Sequence, residues 1–257
     1  MHNGKWLFLL PISGRLEKEQ EIMTFSTVLR NEVNDIWGAS FDHPFVKGIG
    51  DGTLPIEKFK YYLLQDAYYL SHFSKVQALG AAKALDLHTT SRMASHAVGT
   101  NEAELSLHEN FSKRLGITDE EKRNFKPAPT AYAYTSHMYR SARYGGLADI
   151  LAAILPCYWL YYEIGERLKS CTPEQPVYQE WIKAYGGEWF KELVKEQINR
   201  LDELAETMTL HDKERMKENF IMSSIYEWQF WEMAYTLEKW PFQNALDAGK
   251  EMSEHHV

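Results

Sequence analysis

The sequence has few cysteines, no excess of positive charge and no long uncharged apolar run, and these absences exclude several classes of protein. Its 257 residues include 2 cysteines, too few for a disulfide scaffold. Lys and Arg number 28 against 36 Asp and Glu, a net charge of −8, so no partnership with nucleic acid is expected. Because no uncharged apolar stretch is long enough to cross a bilayer, we also expect no membrane partner.

Sequence patterns for phosphate and metal binding are missing too. The chain has neither a Gly-rich phosphate loop nor a Gly-x-Ser-x-Gly nucleophile turn. A di-iron bundle site needs Glu-x-x-His on facing helices, and none of the 10 histidines follows an acidic residue at that spacing. We therefore expect no metal site.

Helical periodicity extends from about Met23 to Trp240. Prolines and the pairs Gly145-Gly146 and Gly186-Gly187 divide it into segments. No alternating strand pattern persists, so the sequence predicts a single all-α domain over residues 23–257. The predicted helices cover residues 24–41, 56–85, 89–115, 119–124, 130–144, 147–169, 174–184, 187–207 and 212–239.

Residues 1–22 differ in character from the rest. Their apolar run, residues 6–12, is short, contains Pro11 and lacks the small-residue cleavage site of a secretory signal. We expect an extension in front of the domain, with the natural start near Met23, and a cytoplasmic protein, which suits two unpaired cysteines. A signal peptide is the alternative.

Pro156 and Cys157 lie together inside a predicted helix. Pro156 has no amide hydrogen, so the carbonyl of Ala152 loses its helical hydrogen bond. The resulting kink either adjusts the packing of the helix or opens the helix at a functional site. Cys157 and Tyr161 are four residues apart and share a face, where a phenol can stabilise a thiolate, the reactive form of cysteine. The alternative is a buried structural thiol.

Two other predicted helices place a carboxyl in an aromatic stripe. Asp66 shares a face with Tyr69 and Phe73, and a carboxylate there needs a partner, such as the amidine-like edge of a ligand. Glu227 shares a stripe with Phe230, where apolar surroundings raise the pKa of a glutamate and suit it to proton transfer. The alternatives are that Asp66 caps a neighbouring helix or pairs with an Arg or Lys, and that Glu227 is solvated.

These segments resemble the TenA/thiaminase II family. Residues 65–70, 155–161 and 226–231 occur in the family's order, and the resemblance extends from about residue 23 to residue 240. It implies a haem-oxygenase-like helical bundle, a homotetramer and no cofactor. It also implies a thiamine-salvage hydrolase that converts 4-amino-5-aminomethyl-2-methylpyrimidine to 4-amino-5-hydroxymethyl-2-methylpyrimidine. The same enzymes cleave thiamine at the pyrimidine methylene.

The resemblance further implies roles for individual residues. Cys157 corresponds to the nucleophile, Glu227 to the proton donor and Tyr69 to a residue that tunes the cysteine. Asp66 corresponds to the residue that grips the aminopyrimidine edge. Further contacts with the substrate correspond to Tyr134, Tyr161 and Tyr185.

Two other hypotheses stay open at the level of sequence. One is a non-catalytic protein on the same fold that binds a pyrimidine or has a regulatory role. The other is a bundle oxygenase with haem or two irons, against which the missing Glu-x-x-His motif counts.

Overall fold

The computed structural model describes residues 23–242, with only the backbone for residues 103–108. This part of the chain is helical and contains no strand, which confirms the predicted all-α class. The predicted extension, residues 1–22, and the end of the predicted domain, residues 243–257, lie outside the described residues. The helices are α1 Phe25–Glu32, α2 Asn34–Phe41, α3 Pro44–Asp51, α4 Ile56–Lys83, α5 Leu87–Leu115, α6 Asp119–Asn124, α7 Pro129–Tyr144, α8 Leu147–Leu168, α9 Pro176–Tyr185, α10 Glu188–Thr207 and α11 Leu210–Thr236.

The region before α4 differs from the prediction. The predicted helix over residues 24–41 is two helices, because the chain leaves helical geometry at Val33 (φ −105°, ψ 11°). The sequence predicts no helix between residues 41 and 56, whereas α3 begins at Pro44. A proline in the first turn of a helix loses no hydrogen bond, because the amide there has no helical acceptor. The ring Nδ1 of His43 caps this helix by accepting from the Phe45 amide at 3.1 Å.

The core is built around α8. Residues 147–156 are buried on every side of this helix, and α8 packs against α4, α7, α9, α10 and α11. Pro156 lies inside α8 without ending it. By length and composition α8 alone among the described helices could cross a membrane, but 78% of its most apolar stretch is buried within the protein, as in the core helix of a soluble fold.

Aromatic side chains connect α8 to the helices around it. The ring of Trp231 on α11 lies 5.0 Å from that of Tyr161 on α8 and 5.6 Å from that of Phe45 on α3. Such tilted and offset contacts add to the free energy gained by burying the rings. This packing holds α3, α8 and α11 together beside a cavity that lies where α4, α5, α8, α9 and α10 meet.

Candidate active site

A cavity of about 290 Å³ enters the bundle, and predicted site residues from three helices line it. Asp66 comes from α4, Cys157 and Tyr161 from α8, and Tyr185 from the end of α9. The volume is close to the lower end of the range for small-molecule sites. The fold therefore brings together side chains that are far apart in the sequence, since Asp66 and Tyr185 are separated by 119 positions.

Cys157 is half-buried on the cavity wall and forms no disulfide within the described residues. Its helical spacing from Tyr161 predicts a shared face, and both side chains do line the same cavity. Cys171 likewise forms no disulfide there and is not part of this lining. Of the two cysteines, Cys157 is therefore the one that a ligand in this cavity would meet.

Tyr185 reaches the cavity because α8 and the end of α9 meet backbone to backbone at Gly165. A Cβ at position 165 would lie 2.5 Å from the carbonyl carbon of Tyr185 and 2.4 Å from the amide nitrogen of Gly186. Only glycine permits this approach. The ring of Tyr185 then packs edge-on against that of Tyr161, with 4.8 Å between the ring centroids.

Glu227 lies behind the cavity wall, not on it. Its side chain is 2% exposed, which excludes the solvated alternative, and it is not among the lining residues. The phenol of Tyr134 donates a hydrogen bond of 2.6 Å to its Oε1. Burial raises the pKa of Glu227 to about 8; the hydrogen bond from Tyr134 opposes this rise, and the negative charge of Asp66 adds to it. The carboxyl is therefore mostly protonated at neutral pH.

Tyr69 and Tyr134 are buried phenols whose rings lie 4.7 Å apart. Burial raises the pKa of both well above the ordinary value, and the charges of Cys157 and Glu227 raise it further. Both phenols are therefore neutral donors. The Tyr69 Oη forms no hydrogen bond within the described part of the chain, but it lies close enough to the Tyr134 hydroxyl for each phenol to affect the pKa of the other. Tyr69 is thus an unused donor close to Cys157.

The outer part of the cavity was not foreseen from the sequence. It lies between α5 and α10, and single polar or small residues on amphipathic helices carry no motif that marks them as a site. A tryptophan on the predicted amphipathic helix α10 is the one signal in the sequence, and in the structure Trp189 lines this part of the cavity with its side chain 66% exposed. The principal residues of this part are Arg92, His96, Gly99, Trp189, Phe190 and Leu193.

Within the described residues, no group of three or more His, Cys, Asp or Glu side chains is placed to hold a metal ion. The reactive groups gathered here are a thiol, a protonated carboxylic acid and neutral phenols. Such groups can attack an electron-poor ring and supply a proton to it. Fold and cavity together define the class of the protein: an all-α bundle whose core cavity offers a cysteine and a nearby buried acid.

The chain belongs to the TENA/THI-4/PQQC family, which residues 30–237 match, and the predicted family is thereby confirmed. A curated aminopyrimidine aminohydrolase of Bacillus subtilis (strain 168) is 62% identical over 218 residues, 85% of this chain and 92% of the relative. The solved structure of a TenA homologue from P. horikoshii OT3 superposes with a TM-score of 0.78 at 31% identity, over 83% of this chain and 99% of its own.

A third comparison concerns the fold alone. A domain of unknown function with a haem-oxygenase-like fold, from Shewanella denitrificans os217, superposes with a TM-score of 0.66 at 18% identity. The match covers 82% of this chain and 91% of the other. The predicted haem-oxygenase-like bundle is therefore confirmed.

Proposed function

We propose that the chain hydrolyses an aminopyrimidine with Cys157 as the nucleophile and Glu227 as the proton donor. The chain is a hydrolase of thiamine salvage, since an aminopyrimidine aminohydrolase shares 62% of its residues over most of both chains. The expected substrate is 4-amino-5-aminomethyl-2-methylpyrimidine, which gives the hydroxymethyl pyrimidine and ammonia. Thiamine has the same ring and is cleaved at the same methylene, giving the hydroxymethyl pyrimidine and the thiazole alcohol.

The observation that carries the mechanism is the cavity wall shared by Cys157 and Asp66, behind which Glu227 is buried in a hydrogen bond with Tyr134. Burial raises the pKa of Glu227 to about 8. A protonated acid beside the cavity can neutralise the charge that builds up on a ring nitrogen when the Cys157 thiolate adds to the ring carbon C6. The ring then loses its aromaticity, and its electron pair expels the amine or the thiazole from the methylene carbon. Water adds to that carbon, the thiolate leaves, and the proton returns to Glu227. The substrate's ring is its own electron sink, so the proposal needs no cofactor.

Asp66 suits the role of orienting the pyrimidine. Its buried carboxyl lines the cavity together with Cys157. A carboxyl can hold the ring nitrogen N3 and the 4-amino group, which form the amidine-like edge of the substrate, through two hydrogen bonds. The rings of Tyr161 and Tyr185 offer flat apolar surface against which a heteroaromatic ring can pack.

We further propose that the protein acts as a cytoplasmic homotetramer on small pyrimidines or thiamine, with neither nucleic acid nor membrane as a partner. Three strongly exposed leucines, Leu85, Leu87 and Leu210, support an assembly, since a neighbouring subunit could cover them. We also propose that residues 1–22 lie outside the catalytic domain; the family match, which begins at residue 30, supports this boundary.

The mechanism is tested with Cys157→Ser. We expect the unaltered protein to release ammonia from the aminomethyl pyrimidine, and the variant to lose about a thousandfold or more in kcat while still binding the pyrimidine. Cys171→Ser, outside the cavity lining, is the matched control and should keep its activity. Full activity of Cys157→Ser would contradict the covalent mechanism. Tight pyrimidine binding without ammonia release by the unaltered protein would instead indicate a non-catalytic binding protein.

A further inference from the structure

The cavity is longer than the proposed pyrimidine site. We call its outer part, defined by Arg92, His96, Gly99, Trp189, Phe190 and Leu193, the outer chamber. Arg92 and Gly99 are seven residues apart on α5, which corresponds to roughly 10 Å along the helix axis. A single six-membered ring held between Asp66 and Cys157 does not extend over this length. The outer chamber therefore has room for another part of the substrate.

We propose that the outer chamber binds the leaving group of the substrate and that Gly99 sets how large this group can be. The inference rests on the proposed function. Both expected substrates carry the same pyrimidine and differ only in what is attached to the methylene carbon, an ammonium in one and a thiazolium ring in the other. The substrate class is then pyrimidines whose methylene carries either a small or a ring-sized cationic leaving group.

Gly99 has no structural reason to be a glycine. A Cβ built at this position meets no atom within 4 Å, so close packing does not require its absence. The glycines with left-handed backbone are Gly52 and Gly116 within the described residues, so backbone geometry does not require it either. Glycine in the interior of a helix also destabilises it relative to alanine. What glycine provides at position 99 is open space along the cavity wall.

The outer chamber is also suited to a cation. The rings of Trp189 and Phe190 line it, Tyr158 lines the same cavity, and the faces of aromatic rings attract positive charge. Because a ring-sized cation offers its own flat face as well, stacking on these rings would favour thiazolium over a hydrated ammonium.

The cationic side chains of the wall do not oppose this binding. Arg92 forms an ion pair with Glu196, in which its Nε donates to Oε1 at 2.8 Å, so its charge is compensated. Burial lowers the pKa of His96, although the negative charge of Glu196 opposes this shift, and the ring is therefore neutral at neutral pH. The buried Nδ1 of His96 has no hydrogen-bond partner in the described part of the chain. One polar atom of the wall of the outer chamber is therefore without a hydrogen bond.

The test narrows the chamber with Gly99→Leu and measures kcat/KM for thiamine and for the aminomethyl pyrimidine. We expect the ratio of the thiamine value to the aminomethyl value to fall about tenfold or more, because a leucine side chain takes space that only the larger leaving group needs. Gly38→Leu is the matched control. Gly38 is also helical, a Cβ there also meets no atom within 4 Å, and it lies outside the cavity lining, so the ratio should stay unchanged.

Gly99→Ala is a smaller substitution that keeps the test informative if Gly99→Leu does not fold. It adds one methyl group and favours the helix, and should shift the same ratio in the same direction by a smaller factor. Circular dichroism and Tm establish that each variant is folded. If both substrates lose activity equally, position 99 faces the pyrimidine and the inference is wrong. If folded Gly99→Leu keeps full activity towards both substrates, the leaving group lies elsewhere and the inference is also wrong.

Calorimetry separates this inference from the proposed function. In the Cys157→Ser background, which prevents turnover, Gly99→Leu should weaken thiamine binding about tenfold more than binding of the aminomethyl pyrimidine. If the unaltered protein turns over neither substrate, the proposed function fails, while this selective loss of thiamine affinity would still support the outer chamber. An equal change for both ligands would overturn the outer chamber whatever the activity.

Discussion

Tyr134 donates a hydrogen bond of 2.6 Å to the buried carboxyl of Glu227, and this bond limits how far burial raises the pKa of the acid. The charge of Asp66 acts in the opposite sense and raises the same pKa. Two side chains from α7 and α4 thus adjust one acid on α11 in opposite directions. The availability of its proton near neutral pH depends on this balance.

Tyr134→Phe should move the alkaline limb of the pH–rate profile to higher pH. Glu227 acts in its protonated form, so activity falls as the pH rises through its pKa, about 8 in the unaltered protein. A hydrogen bond to the ionised carboxylate favours ionisation, and its removal raises the pKa, by about one unit. The measurement is kcat/KM of the aminomethyl pyrimidine from pH 6 to about 10.

Tyr132→Phe, on the same helix and 52% exposed, is the control and should leave the limb in place. A limb that moves to lower pH in Tyr134→Phe would show that the phenol does not stabilise the carboxylate. A limb that does not move would show that Glu227 is not the acid seen in the profile.

Glu227→Gln should stabilise the protein progressively as the pH rises. The pKa of Glu227 is raised from 4.5 to about 8, so its contribution to folding is fully present below pH 4.5 and is lost as the pH rises towards 8. The loss is on the order of 4 kcal/mol. A glutamine at position 227 stays neutral at every pH and therefore does not cause this loss of stability.

Urea unfolding at pH 5, 6.5 and 8 measures this difference. The free energy of unfolding of Glu227→Gln relative to the unaltered protein should increase over the series, while kcat falls. Glu203→Gln, whose carboxyl is 63% exposed, should show no such trend. A constant difference across the three pH values would mean that the acid does not titrate with a raised pKa.

Tyr69→Phe should change reactivity at Cys157 without weakening the fold. The Tyr69 Oη is buried without a hydrogen-bond partner among the described residues, so the free energy of unfolding should stay within about 0.5 kcal/mol or rise. If the phenol stabilises the thiolate, its removal moves the pH midpoint of iodoacetamide alkylation upward. Alkylation rates are best measured with Cys171→Ser as background, so that Cys157 is the reacting thiol.

Tyr178→Phe provides the contrast. The phenol of Tyr178 donates a 2.7 Å hydrogen bond to the carbonyl of Leu54, and its loss should cost about 1 kcal/mol while alkylation stays unchanged. An alkylation midpoint that is the same with and without the Tyr69 hydroxyl would refute the tuning role.

Local chemistry explains which parts of the fold could be predicted. The long helices follow from apolar periodicity, and α8 is predicted within one residue of its observed end. The helix α3 was not predicted because Pro44 indicates a boundary between helices in the sequence, whereas in the structure it lies in the first turn, where a proline is compatible with a helix. Which of the two applies depends on whether the preceding residue, here His43, caps the helix.

The sequence by itself determined the all-α class, the family and the cysteine on a shared face with Tyr161, because these depend on helical periodicity and on short segments and their order along the chain. Tertiary structure alone decided that Glu227 is buried and protonated, that Gly165 lets Tyr185 approach Tyr161, and that α5 and α10 enclose an outer chamber. Burial and pKa depend on the neighbours that packing supplies, and those neighbours lie far away in the chain, Tyr134 at a separation of 93 from Glu227 and Asp66 at a separation of 161.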